Sequence, residues 1–325
     1  MSTDASQQER TVPTARDVRE ALRKGMARLR EANVPSHALA AELLLMQALG
    51  RDRTWIYSHP DVLLEAKQAE TYFALIARRA AGEPTQHLTG KQEFWGLEFE
   101  VTRDVLIPRP ETEHVVEVVL ERIRERPHKV EARPRNSSEK LWSADVGTGS
   151  GCIAVALASE LPHVEIFATD ISAAALAVAR RNAARHGVVD RIHFLQCDLI
   201  AGISSLSTCH LSLPFDLIVS NPPYVARDDA ETLPREVREH EPHVALFGGV
   251  AGTETYARLI DEAAALLRPG GILVLELGYN SAPHVQRLLA GNPAWTTVEI
   301  TNDLAGIPRV IAAERTQIGS RHWRD

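Results

Sequence analysis

From Leu141 onward the chain reads as strands alternating with helices. The runs LWSADVG, VEIFATD, RIHFLQCD, FDLIVSN, GGILVLELG, WTTVEITND and RVIAAER are interleaved with the helical stretches CIAVALASEL, AAALAVARRNAARHG, TYARLIDEAAALLR and HVQRLLAG. Such alternation leaves few architectures open, because strands this apolar bury both faces in a mostly parallel sheet covered by helices on either side. The fold class is therefore α/β and Rossmann-like. Ligands of such sheets bind beyond the carboxyl ends of the strands, near the point where strand order reverses. Chemistry-bearing motifs are expected there, at strand ends.

Four strand ends carry such motifs. In ADVGTGSGC, Gly147, Thr148, Gly149, Ser150 and Gly151 make a tight turn between a strand and a helix. The side-chain-free glycines allow a ligand to lie against backbone N–H groups at the helix N-terminus. The spacing is Gly-x-Gly-x-Gly, with Cys152 where a dinucleotide fingerprint needs its third glycine, and no Gly-Lys-Ser/Thr follows, so it is not a P-loop. Asp170 closes VEIFATD. A carboxylate there either accepts both hydroxyls of a ribose or caps the next helix. Asp198 and Leu199 follow the third strand, where an acceptor and an apolar face suit the edge and plane of an adenine; a solvated carboxylate is the plainer reading.

The fourth motif is the most specific. FDLIVSNPPY ends a buried strand with Asn221, Pro222, Pro223 and Tyr224. Two prolines forbid further ladder pairing and leave preceding carbonyls without intrachain donors. The Asn221 side-chain oxygen and the Pro222 carbonyl can then converge on a planar NH2 group, with Tyr224 as a flat apolar wall. That arrangement suits methylation of an amide or exocyclic amine, whose delocalised lone pair becomes nucleophilic only when binding orients it towards an electrophile. The plainer alternative is a Pro-Pro strand terminator.

The chain has room for further parts. Val18, Leu22, Met26 and Leu29 recur at helical spacing after Thr14, a candidate N-cap; HALAAELLLMQALG closes on Gly50, and a third helix runs to Gly82. Residues 1–85 thus read as a helical bundle whose first 12 residues are disordered. GKQEFWGLEFEV, with a turn around Gly96-Leu97, reads as a β-hairpin linker over 86–102, and 103–325 forms the α/β part, interrupted by a charged linker around Asn136. Net charge is −7; residues 1–85 hold 12 Lys+Arg against 11 Asp+Glu, and the rest 24 against 32. An acidic α/β part does not favour direct binding to nucleic acid, which draws affinity from clustered basic side chains. No apolar run approaches the roughly 20 residues needed to span a bilayer, and MSTDASQQER lacks the features of a signal peptide. Cys152, Cys197 and Cys209 have neither disulfide nor zinc spacing, which fits a reducing cytoplasm.

Other candidates have two readings each. Arg109 and Glu111 in IPRPETE line an active-site mouth or fix the loop by an ion pair. His240 and His243 form a two-His pattern that lacks a third ligand, so no metal site is expected. Phe94 and Trp95 pack the hairpin or meet a partner protein.

Taken together, GTGSG, the acidic end of the second strand and NPPY resemble the class I S-adenosylmethionine-dependent methyltransferases that modify planar nitrogens. GEPTQHLTGKQEFWGLEFEV, LIPRPETE and EPHVALFGGVAGTETYARLI narrow the resemblance to the HemK/PrmC family, the N5-glutamine methyltransferases of peptide chain release factors. The similarity runs from about Gly82 to Glu314. It implies S-adenosylmethionine as cofactor, with Gly147 to Gly151, Asp170 and Asn221 binding it and Asp198 and Leu199 beside its adenine. It further implies that Asn221 to Tyr224 grip the substrate amide, that Arg109 lines the substrate side, and that class-1 release factors dock partly on the helical part and hairpin. Where the family often has an aromatic residue, this chain has Leu199. A ribosomal-protein glutamine, or the N6 of adenine in nucleic acid, would suit the same Asn-Pro-Pro-aromatic geometry.

Overall fold

The computed structural model describes residues 15–125, 140–206 and 215–316. The expectations for residues 1–12, Thr14, the linker around Asn136 and most of GISSLSTCHLSLP, including Cys209, lie outside them. The chain divides into two compact units, residues 1–90 with 235–240, and residues 91–234 with 241–325.

The first unit is helical: α1 (Val18–Glu31), α2 (His37–Leu49), α3 (Arg53–Ser58), α4 (Ala66–Ala80) and α5 (Thr85–Thr89), with α10 (Arg235–His240) from further along the chain. Asp17 caps α1 by accepting the Glu20 N–H at 2.8 Å. Gly50 ends α2 in the left-handed region, as its place after the apolar run predicts. Leu29, Leu44, Leu45, Tyr72, Phe73 and Ile76 interleave as its core. The helices α3 and α5 are too short to give a periodic signal in the sequence.

The second unit opens with the hairpin β1 (Lys91–Phe94) and β2 (Leu97–Glu100). Its turn is Trp95-Gly96, one residue earlier than the sequence suggests, with both residues at positive φ. Trp95 is held there by two carboxylates: its backbone N–H donates to Glu113 at 2.8 Å and its indole N–H to Glu160 at 2.9 Å. Phe94 and Phe99 are buried against Val115 and Val119, so the hairpin shares the core of this unit.

The main sheet has seven strands in the order β10-β11-β9-β6-β3-β4-β5. They are β3 (Leu141–Val146), β4 (Val164–Asp170), β5 (Ile192–Gln196), β6 (Phe215–Ser220), β9 (Leu267–Glu276), β10 (Trp295–Asn302) and β11 (Pro308–Arg315). β11 runs antiparallel to both β10 and β9, and the remaining pairs of the sheet are parallel. One face is covered by α6 (Glu113–Arg124), α7 (Cys152–Glu160) and α8 (Ala173–Arg185), the other by α9 (Ala201–Leu206), α11 (Glu254–Leu266) and α12 (Ala282–Gly291). Strand order reverses between β3 and β6. Two short strands unseen in the sequence, β7 (Val225–Ala226) and β8 (Phe247–Gly249), pair in parallel just after the Pro-Pro step. No described helix is long and apolar enough to cross a membrane.

One side chain ties the hairpin to the glycine turn. Asn182 of α8, fully buried, accepts the Glu100 N–H at 2.7 Å and donates to the Glu100 carbonyl at 3.0 Å and the Ser150 carbonyl at 2.9 Å. Substituting Asn182 by Ala removes all three bonds from buried partners and should lower stability by roughly 2–3 kcal/mol. Urea denaturation checks this: a midpoint unchanged at constant slope would mean that water replaces the amide freely.

Candidate active site

Backbone register decides where the motifs meet. Val146 pairs with Thr169 on β4 and with Ser220 on β6, and Ser220 pairs with Leu275 on β9. The next residue on each strand is therefore Gly147, Asp170, Asn221 or Glu276, side by side along one edge of the sheet. A cleft of ≈ 230 Å³ opens there, lined by Gly147, Gly149, Asp170, Asp198, Leu199 and Asn221 among others. The structure thus gathers residues from all four sequence motifs.

The glycine turn works through its backbone. Gly147, Gly149 and Gly151 all have positive φ; a Cβ at Gly147 would meet open space and one at Gly149 only the Gly147 carbonyl oxygen at 4.0 Å. At Gly151 it would sit 3.0 Å from the Ala179 Cβ, so that glycine serves the packing of α7 on α8. Thr148 and Ser150 are buried and do not line the cleft. The Thr148 hydroxyl donates to Asp145 at 2.6 Å, and the Ala154 N–H reaches the same carboxylate oxygen at 3.2 Å. Asp145 therefore braces the turn from beneath. It is fully buried, and burial pushes its carboxyl up to about 7 against the pull of those two hydrogen bonds.

Asp170 accepts the Gly149 N–H at 3.0 Å and the Ser172 N–H at 2.8 Å, which fixes the turn relative to β4. It does not cap α8; Ser172 does, accepting the Ala175 N–H at 3.2 Å. Asp170 still lines the cleft. Burial raises its pKa, and the N–H donors oppose the rise.

At the end of β6, the Asn221 side chain donates its Nδ2–H to Thr112 Oγ1 at 3.1 Å. Among the described residues nothing donates to its oxygen or to the Pro222 carbonyl. The Ser220 hydroxyl closes the strand by donating to the Val146 carbonyl at 2.7 Å. Beyond the prolines the Val225 N–H resumes pairing with the Leu246 carbonyl at 2.9 Å. The Tyr224 ring lies on Gly278, where a Cβ would come within 2.4 Å of the ring, so only glycine fits behind this wall. Burial pushes the Tyr224 hydroxyl up to about 12, keeping it neutral.

Asp198 and Leu199 line the far part of the cleft, where Asp198 pairs with Arg258 at 2.8 Å. Phe247 lines the cleft too and supplies an aromatic face that Leu199 does not. Arg109 is held by the buried Glu241 at 2.5 Å, and Glu241 also accepts the Ile107 N–H at 3.1 Å, so the ion-pair reading of this loop has a partner 132 positions away. His243 packs edge-on against Phe247, and among the described residues no three His, Cys, Asp or Glu side chains gather as metal ligands.

Residues 20–90 match the PrmC N-terminal domain model and residues 133–238 the methyltransferase small domain model. A release factor glutamine methyltransferase of Koribacter versatilis is 41% identical over 299 residues, spanning 92% of this chain and 98% of that one. The chain belongs to the release factor glutamine methyltransferase family. The protein of the same name from Bradyrhizobium diazoefficiens is 40% identical over 93% of this chain and 96% of its own length, and that from Burkholderia pseudomallei 42% over 85% and 91%.

For this member of the release factor glutamine methyltransferase family, sequence reasoning overlooked Asp145, Thr112, Glu276 and Gly278. Asp145 was signalled by its place just before the glycine turn; the other three are brought in by folding. Asp145 and Glu276 both have carboxyls raised by burial to about 7, and hydrogen bonds lower them only in part. Because the folded values exceed the unfolded ones, the native state holds protons that the unfolded chain has released between about pH 4 and 7, and stability falls as pH rises across that window. Asp145→Asn keeps the acceptor for Thr148 without the charge, so its stability relative to the parent should improve from pH 5 to pH 8.5. Urea midpoints at the two pH values test this; a constant difference would mean that Asp145 titrates as an ordinary carboxylate.

Proposed function

We propose that this protein transfers a methyl group from S-adenosylmethionine to the side-chain amide nitrogen of the glutamine in the Gly-Gly-Gln motif of class-1 peptide chain release factors, in the cytoplasm. The observation that carries this reading is the pair of unengaged acceptors at the end of β6, the Asn221 oxygen and the Pro222 carbonyl, beside a backbone-lined cleft. Two acceptors call for a ligand with two hydrogens on one planar nitrogen, and a carboxamide is that group. Full-length identity of about 40% to enzymes named for glutamine supports the amide over an exocyclic base amine, as does the excess of acid in the α/β part.

The cleft fits the cofactor. Gly147 and Gly149 leave backbone exposed where a Cβ would otherwise stand, Asp170 suits ribose hydroxyls and its charge disfavours a 2'-phosphate, and Leu199 with Phe247 suits an adenine. When bound, S-adenosylmethionine supplies an electrophilic methyl group. The chain's own residues then bind and orient. Asn221 and Pro222 hold both amide hydrogens, which fixes the nitrogen's plane, and Tyr224 on Gly278 limits the amide to one face. No side chain need act as a strong base, since the nitrogen loses its proton readily once it carries positive charge.

Asn221→Ala should lower the methylation rate roughly 10²-fold or more, about 2.7 kcal/mol, with cofactor affinity nearly unchanged, whereas Asp170→Ala should weaken cofactor binding first. Equal losses of cofactor affinity in the two variants would overturn this division of roles. Transfer of labelled methyl to a purified release factor, beside its Gly-Gly-Gln→Gly-Gly-Ala variant, a ribosomal large-subunit extract and DNA, tests the substrate. Label that vanishes with the glutamine supports the proposal; label only on the ribosomal fraction or DNA overturns it.

A further inference from the structure

Asparagine is a near-symmetric side chain. Its two flipped orientations fill the same space and differ only in whether oxygen or NH2 faces a ligand. For Asn221 that choice is decisive, because a substrate NH2 meets an acceptor in one orientation and another donor in the other.

Two residues outside the Asn-Pro-Pro-Tyr motif bear on it. Thr112 ends the turn Pro110–Thr112 and starts α6, with 2% of its surface exposed. Its Oγ1 accepts the Asn221 Nδ2–H, and its hydroxyl hydrogen bonds to Glu276 at the end of β9. Glu276 is 3% exposed, and its Oε2 has no hydrogen-bond partner among the described residues. An ionised carboxylate only accepts, so the single Thr112 proton points to Glu276 and the Thr112 lone pairs face Asn221. Only the NH2 of Asn221 satisfies them. The oxygen is left for the cleft.

We propose that Glu276 and Thr112 are positioning residues that set the orientation of the Asn221 amide and thereby make the site selective for a carboxamide over the isosteric carboxylate. This rests on the reading of the substrate as a glutamine. Flipped, Asn221 would offer N–H groups, oppose the substrate NH2 and accommodate a glutamate. The charges facing Glu276 are Glu111 and Arg109 from the loop before α6 and Arg309 from β11, with Tyr224, Tyr256 and Cys152 as neutral neighbours. Above about pH 7 the carboxylate acts as an acceptor alone.

The experiment, at pH 8.5, compares the parent with Thr112→Val, Thr112→Ser and Glu276→Gln. It measures kcat on release factor, cofactor affinity, and the ratio of dissociation constants for the Gly-Gly-Glu and Gly-Gly-Gln forms. Thr112→Val should lose at least about tenfold in kcat with cofactor affinity retained, and the Glu-to-Gln ratio should fall by at least about tenfold. Thr112→Ser, which keeps the hydroxyl, should restore both. Glu276→Gln can donate as well as accept, so it should loosen the ratio in the same direction, which provides a second route if Thr112→Val fails to fold. Parental ratios in the folded variants would overturn the inference alone. A parent enzyme that transfers no methyl to the Gly-Gly-Gln form would overturn the substrate reading, and this inference with it.

Discussion

Everything at the site depends on the parallel register of β4, β3, β6 and β9. Each strand contributes one residue of the candidate site at or just past its last paired position, and these four residues are neighbours only because Val146, Thr169, Ser220 and Leu275 are aligned across the sheet. A slip of one residue would exchange the faces of a strand and send its side chain into the opposite layer. The apolar, nearly fully buried β6 resists this, since either face is covered by helices. Stability of the core and placement of the chemistry are thus one requirement.

The same edge concentrates charge that the fold tolerates at a cost. Asp145 and Glu276 are both excluded from water, and among the described residues neither has a cation hydrogen-bonded to it. Such carboxyls are expensive to ionise. Each is held by a threonine hydroxyl, Thr148 for one and Thr112 for the other. In both cases a buried acid fixes a rotatable hydroxyl, which in turn fixes backbone or side chain at the cleft. Instability of this kind tends to accumulate where function needs a preorganised polar group.

Much of this was legible in the sequence, for physical reasons. Strands and helices of the α/β part announce themselves through apolar runs and caps, and the glycine turn, Asp170 and Asn221 to Tyr224 lie where strand-end logic puts them. The hairpin was legible, but its turn was placed one residue late, because Trp95 occupies a left-handed position that a bulky residue rarely takes without the Glu113 and Glu160 contacts. Pairings between distant positions left no local trace: Arg109 with Glu241, Asn221 with Thr112, the Tyr224 ring on Gly278. The parallel pair β7 and β8 is too short to carry a period. Thr148 and Ser150 belong to the motif by sequence, yet their side chains serve the interior, since a turn that presents backbone to a ligand must turn its side chains elsewhere.

The amide of Asn182 holds the last residue of the hairpin with two of its bonds and the glycine turn with the third. Hairpin and turn therefore cannot shift independently: a displacement of Glu100 changes the footing of Ser150, one residue from the backbone that faces the cleft. A protein leaning on the hairpin would be felt, through a single side chain, by the loop that lines the cleft.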